Sequence, residues 1–197
     1  MILVLFPVVL LLKKIEVDKD NTYYSSQDGV LYNKDQTELI ILPIANNNYN
    51  IPLTVTRIGD SAFERNAMTE ISLPDSVSYI GKSAFCFCDK LESIEIPKGV
   101  TEISYLTFFQ CKGLNKVTLP LSVKVISGLA FSSCTNLKNI TYNGTKADWY
   151  QIKLKNLWNA GCPEITVTCT AEPGDNKTLT IKTYLAQVLI FDRYTRL

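Results

Sequence analysis

Residues 77–97 read VSYIGKSAFCFCDKLESIEIP, and residues 100–120 read VTEISYLTFFQCKGLNKVTLP. Laid on one another, Val77, Ile80, Gly81, Ala84, Phe85, Leu91, Ile94, Ile96 and Pro97 match Val100, Ile103, Ser104, Thr107, Phe108, Leu114, Val117, Leu119 and Pro120, each at an offset of 23. The same roles return at Val123, Ile126, Ser127, Ala130, Phe131, Leu137, Ile140 and Tyr142. They occur earlier at Val55, Ile58, Gly59, Ala62, Phe63, Met68, Ile71, Leu73 and Pro74, with one residue fewer between Phe63 and Met68. A unit of this size has no second layer to cover its apolar face, so it closes a core only by stacking on its neighbours. Residues 55–143 therefore predict four coils of a mainly β repeat solenoid.

Within each coil the segment L-x-x-I-x-Φ-P, where Φ is apolar, ends in period-2 alternation. Ile94 and Ile96 are expected to face inward, Ser93 and Glu95 outward, with the proline stopping the strand. The V-x-x-I segment reads as a second short extended stretch, and the Gly or Ser after it as a corner. Phe63, Phe85, Phe108 and Phe131 then fall in one stacked aromatic column inside the coil. Recurrence in every coil marks that column as core and not as a cofactor site.

These residues resemble the BspA-like class of leucine-rich repeats, found in bacterial cell-surface proteins and in some protozoan surface proteins. The resemblance reaches beyond the four coils. Leu12-x-x-Ile15-x-Val17 resembles the closing strand of a preceding unit. Residues 21–32 resemble the family's hairpin insertion, which continues through Ile40, Ile41, Leu42 and Pro43. Tyr142, Asn143, Gly144, Thr145, Trp149, Ile152, Trp158 and the run Ile165 to Thr170 resemble its carboxy-terminal closing segment. The implied organisation is an unmatched apolar stretch at 1–11, a partial repeat with hairpin at 12–54, coils at 55–143, a cap at 144–170 and a β-prone tail at 171–197. The resemblance implies a cell-surface or secreted scaffold without a shared active site or cofactor.

The cap also follows from physics, because the end of a solenoid leaves strand edges and an apolar face open to water. Thr145 is a candidate N-cap with Asp148 three residues on, and Trp149 and Ile152 share one helical face. A short capping helix is expected there. Trp149 and Trp158 have a packing role against the solenoid end, with sugar stacking as the alternative. Residues 1–12, MILVLFPVVLLL, are an uncharged apolar run too short to span a bilayer. No positive residues precede it and no small-residue cleavage site follows, so it reads as a buried or edge strand, with a signal or anchor as the alternative. After the turn-rich residues 171–177, the tail from Thr178 alternates loosely like one or two strands.

The chain of 197 residues carries 20 Lys plus Arg against 19 Asp plus Glu, and that near-neutral balance gives no footprint for nucleic acid or an anionic membrane surface. It contains no histidine, which removes Ser/His/Asp and Cys/His nucleophilic sites and His-containing zinc sites. No strand-to-helix nucleophile elbow, P-loop or phosphate cradle occurs. Six cysteines stand at 86, 88, 111, 134, 162 and 169, and Cys88, Cys111 and Cys134 repeat at 23 residues. Column members in adjacent coils lie about 5 Å apart, within disulfide range, yet their Cβ vectors run parallel. A reduced thiol ladder is favoured for this column, with Cys162 and Cys169 the better disulfide candidates. Cys86-Phe87-Cys88 offers C-x-C spacing, with both cysteines placed on one side by strand alternation, but without a second close pair it makes a poor zinc site. Glycosylation sequons begin at Asn139, Asn143 and Asn176, and matter only in a glycosylating secretory pathway.

A surface remains. The outward strand positions are Glu70 and Ser72, then Ser93 and Glu95, then Lys116 and Thr118, then Asn139 and Thr141, acidic in the early coils and basic or neutral in the later ones. A row of exposed polar side chains on a curved sheet is how repeat proteins meet other macromolecules, although isolated surface charges need no function. The leading expectation is a non-enzymatic module that binds a protein or glycoprotein through this face. A structural spacer with no ligand of its own is the alternative from a different class, and a thiol-dependent enzyme is the weakest.

Overall fold

A computed structural model of the protein describes residues 12–44, 49–171, 173–174 and 177–182. The expected strand at the amino terminus and the last part of the tail lie outside these residues. Among the described residues thirteen short strands and one helix follow in order: β1 Tyr24–Gln27, β2 Val30–Asn33, β3 Glu38–Ile41, β4 Arg57–Ile58, β5 Tyr79–Ile80, β6 Ser93–Glu95, β7 Glu102–Ile103, β8 Lys116–Leu119, β9 Val125–Ile126, β10 Asn139–Tyr142, α1 Lys146–Tyr150, β11 Lys153–Leu154, β12 Ile165–Cys169 and β13 Thr178–Ile181. They form three sheets, ordered β1-β2-β3-β4-β5, β13-β12-β10-β8-β6 and β11-β9-β7. The strands of successive coils pair in parallel and in register, Ser93 with Lys116 and Lys116 with Asn139, as a 23-residue lap requires.

The interior is built in columns. Phe63, Phe85, Phe108 and Phe131 are fully buried, and their rings stack at centroid distances of 4.8, 5.3 and 5.2 Å with planes within 10° of parallel. Each ring removes a large apolar area from water, and the offset stack adds to that. The carbonyl of Phe63 accepts from the Sγ–H of Cys88, and Phe85, Phe108 and Phe131 accept in the same way from Cys111, Cys134 and Cys162, each at 3.0 Å. Each of these carbonyls also accepts a backbone N–H, from Asn66, Cys88, Cys111 and Cys134 in turn, so the thiol supplies its second hydrogen bond.

The corner after the V-x-x-I strand is tight. Ser61 and Arg65, Ser83 and Phe87, Leu106 and Gln110, Leu129 and Ser133, and Leu157 and Gly161 all adopt positive φ, two per coil at a spacing of four. This alternation aims Phe63, Phe85 and Phe108 backbone N–H groups at Ala84, Thr107 and Ala130 carbonyls of the next coil, at 2.8 to 2.9 Å. The backbones approach so closely that a Cβ on Gly81 would meet Asp60 N and Gly59 C at 2.6 Å. One coil later Ser104 holds the same position and its hydroxyl donates to Ile80 O at 2.7 Å.

Three expectations need correction. Residues 12–17 form no strand; Ile15 N donates to Gly29 O and Val17 N to Ser26 Oγ, so the segment runs beside the β1–β2 hairpin. That hairpin turns on Asp28 and Gly29, at φ 52° and 82°, the conformation a two-residue turn matched to strand twist demands. Cys86 and Cys88 lie in the tight turn around Phe87 at φ 60°, not on a strand, although both are buried. Cys162 and Cys169 are both thiols and do not bridge, because Cys162 takes the next place in the thiol column while Cys169 sits in β12.

The closing segment is also more regular than a plain cap. β11 pairs with β9, Trp158 O accepts from Phe131 N, and β12 pairs with β10, so residues 144–169 complete a further lap. Helix α1 is the inserted piece that stretches this lap. Thr145 caps it: its Oγ1 accepts from Asp148 N, and the Asp148 carboxylate accepts from Thr145 N at 2.9 Å. Trp149, Ile152 and Trp158 are buried, with Trp158 edge-on to Phe131 and Trp149 edge-on to Tyr142. Covered rings of this kind close a core and present no platform for a sugar.

Candidate functional site

The sheet β13-β12-β10-β8-β6 carries the face expected to bind. Alternation in β6, β8 and β10 buries Ile94, Val117, Leu119, Ile140 and Tyr142 and turns the residues between them outward. Ser93, Glu95, Lys116 and Asn139 are exposed, while Thr118 and Thr141 are half-buried. Ser93, Lys116 and Asn139 stand abreast in one row, and Glu95, Thr118 and Thr141 in the next. Thr166 and Thr168 of β12, then Thr180 and Thr178 of β13, extend both rows with hydroxyls.

Glu70 and Ser72 depart from the expected pattern. Both are exposed, but residues 68–73 form no strand, so these two stand beside the sheet and not in it. One backbone bond, from Glu92 N to Thr69 O at 2.9 Å, links this segment to the next coil, and the ladder then stops. The sheet consequently ends at β6.

A groove of about 760 Å³ reaches from the end of the sheet across the coils to Pro120 and Asn143. It gathers four of the expected face residues, Glu70, Ser72, Ser93 and Glu95, and leaves Lys116, Thr118 and Thr141 on the open sheet beyond it. Asp75, Lys98 and Asn143 line it too, with Pro97, Pro120 and Tyr49 as firmer walls. Tyr49 is held from behind by a 2.5 Å hydrogen bond between its hydroxyl and that of Tyr32, whose ring is fully buried. Burial pushes both phenols up, so they stay neutral across the physiological range. Among the described residues Glu70, Asp75, Glu95, Lys98 and Lys116 form no ion pair.

Asp75 and Lys98 were within reach of the sequence, since each follows the strand-closing proline of its coil. Tyr49 and Asn50 were not, because they fall outside the repeating pattern.

The thiols offer a different chemistry, and their surroundings speak against it. Burial pushes the Cys86, Cys88 and Cys134 thiols up, with neighbouring thiols and carboxylates adding to the shift. These are covered, protonated groups at neutral pH, the opposite of what an attacking thiolate needs. No group of three or more His, Cys, Asp or Glu side chains is placed to hold a metal among the described residues. No helix among them is long and apolar enough to cross a membrane.

The family model for the BspA-type leucine-rich repeat region matches residues 44–159 in six copies. The chain belongs to the BspA-type leucine-rich repeat family. Six copies exceed the four expected coils, and the matched residues extend beyond 55–143 at both ends. A leucine-rich cell-surface protein of Faecalibacterium prausnitzii is 33% identical over 68% of this chain and 43% of that one, with a TM-score of 0.55. The pneumococcal vaccine antigen PcpA is 27% identical over 79% of this chain and 39% of its own, with a TM-score of 0.64. A leucine-rich repeat protein of Eubacterium ventriosum, 21% identical over 85% of this chain and 57% of its own, shares the fold with a TM-score of 0.58. The chain thus spans less than two-thirds of the length of each. No curated protein matches it.

Proposed function

We propose that this BspA-type solenoid is a non-enzymatic binding module of a cell-surface or secreted protein, and that it meets a protein or glycoprotein through the strand face. The observation that carries the reading is the contrast between the two sides of one strand. Ile94 is locked into the core, while Ser93 and Glu95 beside it are exposed and set into a polar groove. A rigid interior that recurs lap after lap holds such side chains in fixed positions, so little ordering entropy is lost when a partner arrives. The likeness to a leucine-rich cell-surface protein and to a vaccine antigen supports a surface location.

The test is capture of candidate host-matrix and envelope proteins by the whole chain and by Glu70→Gln, Glu95→Gln and Lys116→Gln variants. Loss of a captured protein in any variant supports the face. Capture untouched by all three removes it as the binding surface, and a wild-type chain that retains nothing favours the structural spacer.

A further inference from the structure

We infer that the later part of the strand face, on β8, β10, β12 and β13, takes an acidic polysaccharide, a chain of sulfated or uronate sugars laid across the strands. This rests on the reading of the strand face as a binding surface and names the chemistry of what binds there.

Two independent features meet on this part of the sheet. The first is charge, which the near-neutral total conceals. From Leu12 to Glu102 fourteen acidic residues outnumber nine basic ones, whereas from Ile103 to Pro163 seven lysines stand against Asp148 alone. The change of sign falls at the corner where the strands of the face begin. There the coil of β6 carries Asp89, Lys90 and Glu92, and the next two coils carry Lys112, Lys116 and Lys138 with no carboxylate. Lys138 N and Asn139 N both donate to Asn115 O, which sets Lys138 beside Lys116 on the adjoining strand. Lys112, Lys116 and Lys138 are exposed and form no ion pair among the described residues. Glu95 on β6 and Glu164 ahead of β12 bound the stretch. Clustered cations attract a polyanion and release its counterions.

The second feature is the run of hydroxyls. Thr118, Thr141, Thr168 and Thr178 stand abreast across β8, β10, β12 and β13. The neighbouring row reads Lys116, Asn139, Thr166 and Thr180. Strands follow one another at about 4.8 Å, so groups that both donate and accept recur at that interval along the solenoid axis. No outward position of these four strands is aromatic or aliphatic, although such side chains anchor the centres of protein interfaces. The rows suit a partner that is itself rich in hydroxyls, and the lysines at their edge suit its sulfate or carboxylate groups. An acidic polypeptide or a nucleic acid offers the charge without the hydroxyls, and a neutral glycan the hydroxyls without the charge.

The experiment titrates the whole chain with heparin, dextran, poly-glutamate and duplex DNA, and follows binding by backbone amide NMR and fluorescence anisotropy. Heparin is expected to bind, to shift the amides of Lys116, Thr118, Asn139 and Thr141, to leave those of Glu70 and Ser72 in place, and to weaken as salt rises. The double variant Lys116→Gln with Lys138→Gln weakens it about three- to tenfold, while Glu70→Gln does not. Both lysines are exposed, so an unchanged unfolding midpoint confirms that the variant is folded. Thr141→Val, which removes a hydroxyl and keeps the shape, weakens heparin about two- to tenfold. Equal binding of dextran, poly-glutamate or DNA, shifts confined to the groove around Glu70 and Glu95, or full affinity in the double lysine variant would each overturn the inference. If capture of a natural partner depends on Lys116 yet survives removal of that partner's glycans, the face remains the binding surface and only the polysaccharide assignment falls.

Discussion

The coil at 55–75 and the coils at 100–143 have the same interior and different exteriors. Phe63 stacks on Phe85 at 4.8 Å, closer than the 5.2 Å between Phe108 and Phe131. Yet residues 68–73 form no strand, whereas the matching residues of the later coils form β8 and β10. Core stacking and sheet formation are therefore separable: the apolar column sets the pitch of the solenoid, and the outer ladder follows only where the backbone stays in register. Where the ladder fails, a polar groove opens. The later coils, with the ladder intact, present a flat face of Lys116, Thr118, Asn139 and Thr141.

Breaking the column tests the first half of that comparison with the largest effect. Phe108→Ala removes a fully buried ring stacked on both sides and is expected to destabilise the chain by about 3–5 kcal/mol in urea unfolding. Phe63→Ala, with one stacked neighbour, is expected to cost less. Equal losses would show that the column does not act through its neighbours. Gly81→Ala comes next, at about 1–3 kcal/mol, because its Cβ would press on the backbone of the preceding coil.

The thiol column gives a pH signature. Because the folded thiols of Cys86, Cys88 and Cys134 titrate above their unfolded value, the stability they confer is complete below the unfolded pKa. It is lost as pH rises from there toward the folded value. Unfolding free energy is expected to hold level to about pH 8 and then decline, by up to roughly 1.4 kcal/mol per pH unit for each thiol. Cys134→Ala should make that decline shallower. An unchanged slope would mean that the thiol is not protected by burial. Thr145→Ala, which removes the capping box of α1, is expected to cost about 1 kcal/mol by thermal unfolding and to leave the groove untouched. Smallest of all, Glu95→Gln should alter stability by less than about 0.5 kcal/mol. A larger change would show that Glu95 has a structural partner.

The solenoid was legible in the sequence because packing repeats: an interior place must be filled by a similar side chain in every lap, so Phe63, Phe85, Phe108 and Phe131 announce themselves. The extra lap at 144–169 was harder to see. Insertion of α1 changes the offset from 23 to 27 between Phe131 and Trp158 and to 28 between Cys134 and Cys162, and a tryptophan replaces the phenylalanine. Cys162 was thereby set beside Cys169 as a disulfide candidate when it continues a column. The outward identity of Ser93 and Glu95 followed from period-2 alternation. The end of the sheet at β6 did not, because Glu70, Ile71 and Ser72 carry the same pattern as Ser93, Ile94 and Glu95. The failed ladder is a matter of backbone alignment between coils, to which side-chain pattern is blind.

Amide hydrogen exchange along 93–95 and 116–119 in the folded chain tests the split sheet most directly. The account predicts alternation within three residues: Ile94 N–H, facing β8, exchanges slowly like the amides of Val117 and Leu119, while Ser93 and Glu95, facing the groove, exchange fast. Uniform protection of Ser93, Ile94 and Glu95 would mean that the ladder continues to residues 69–73 and that the sheet does not end at β6.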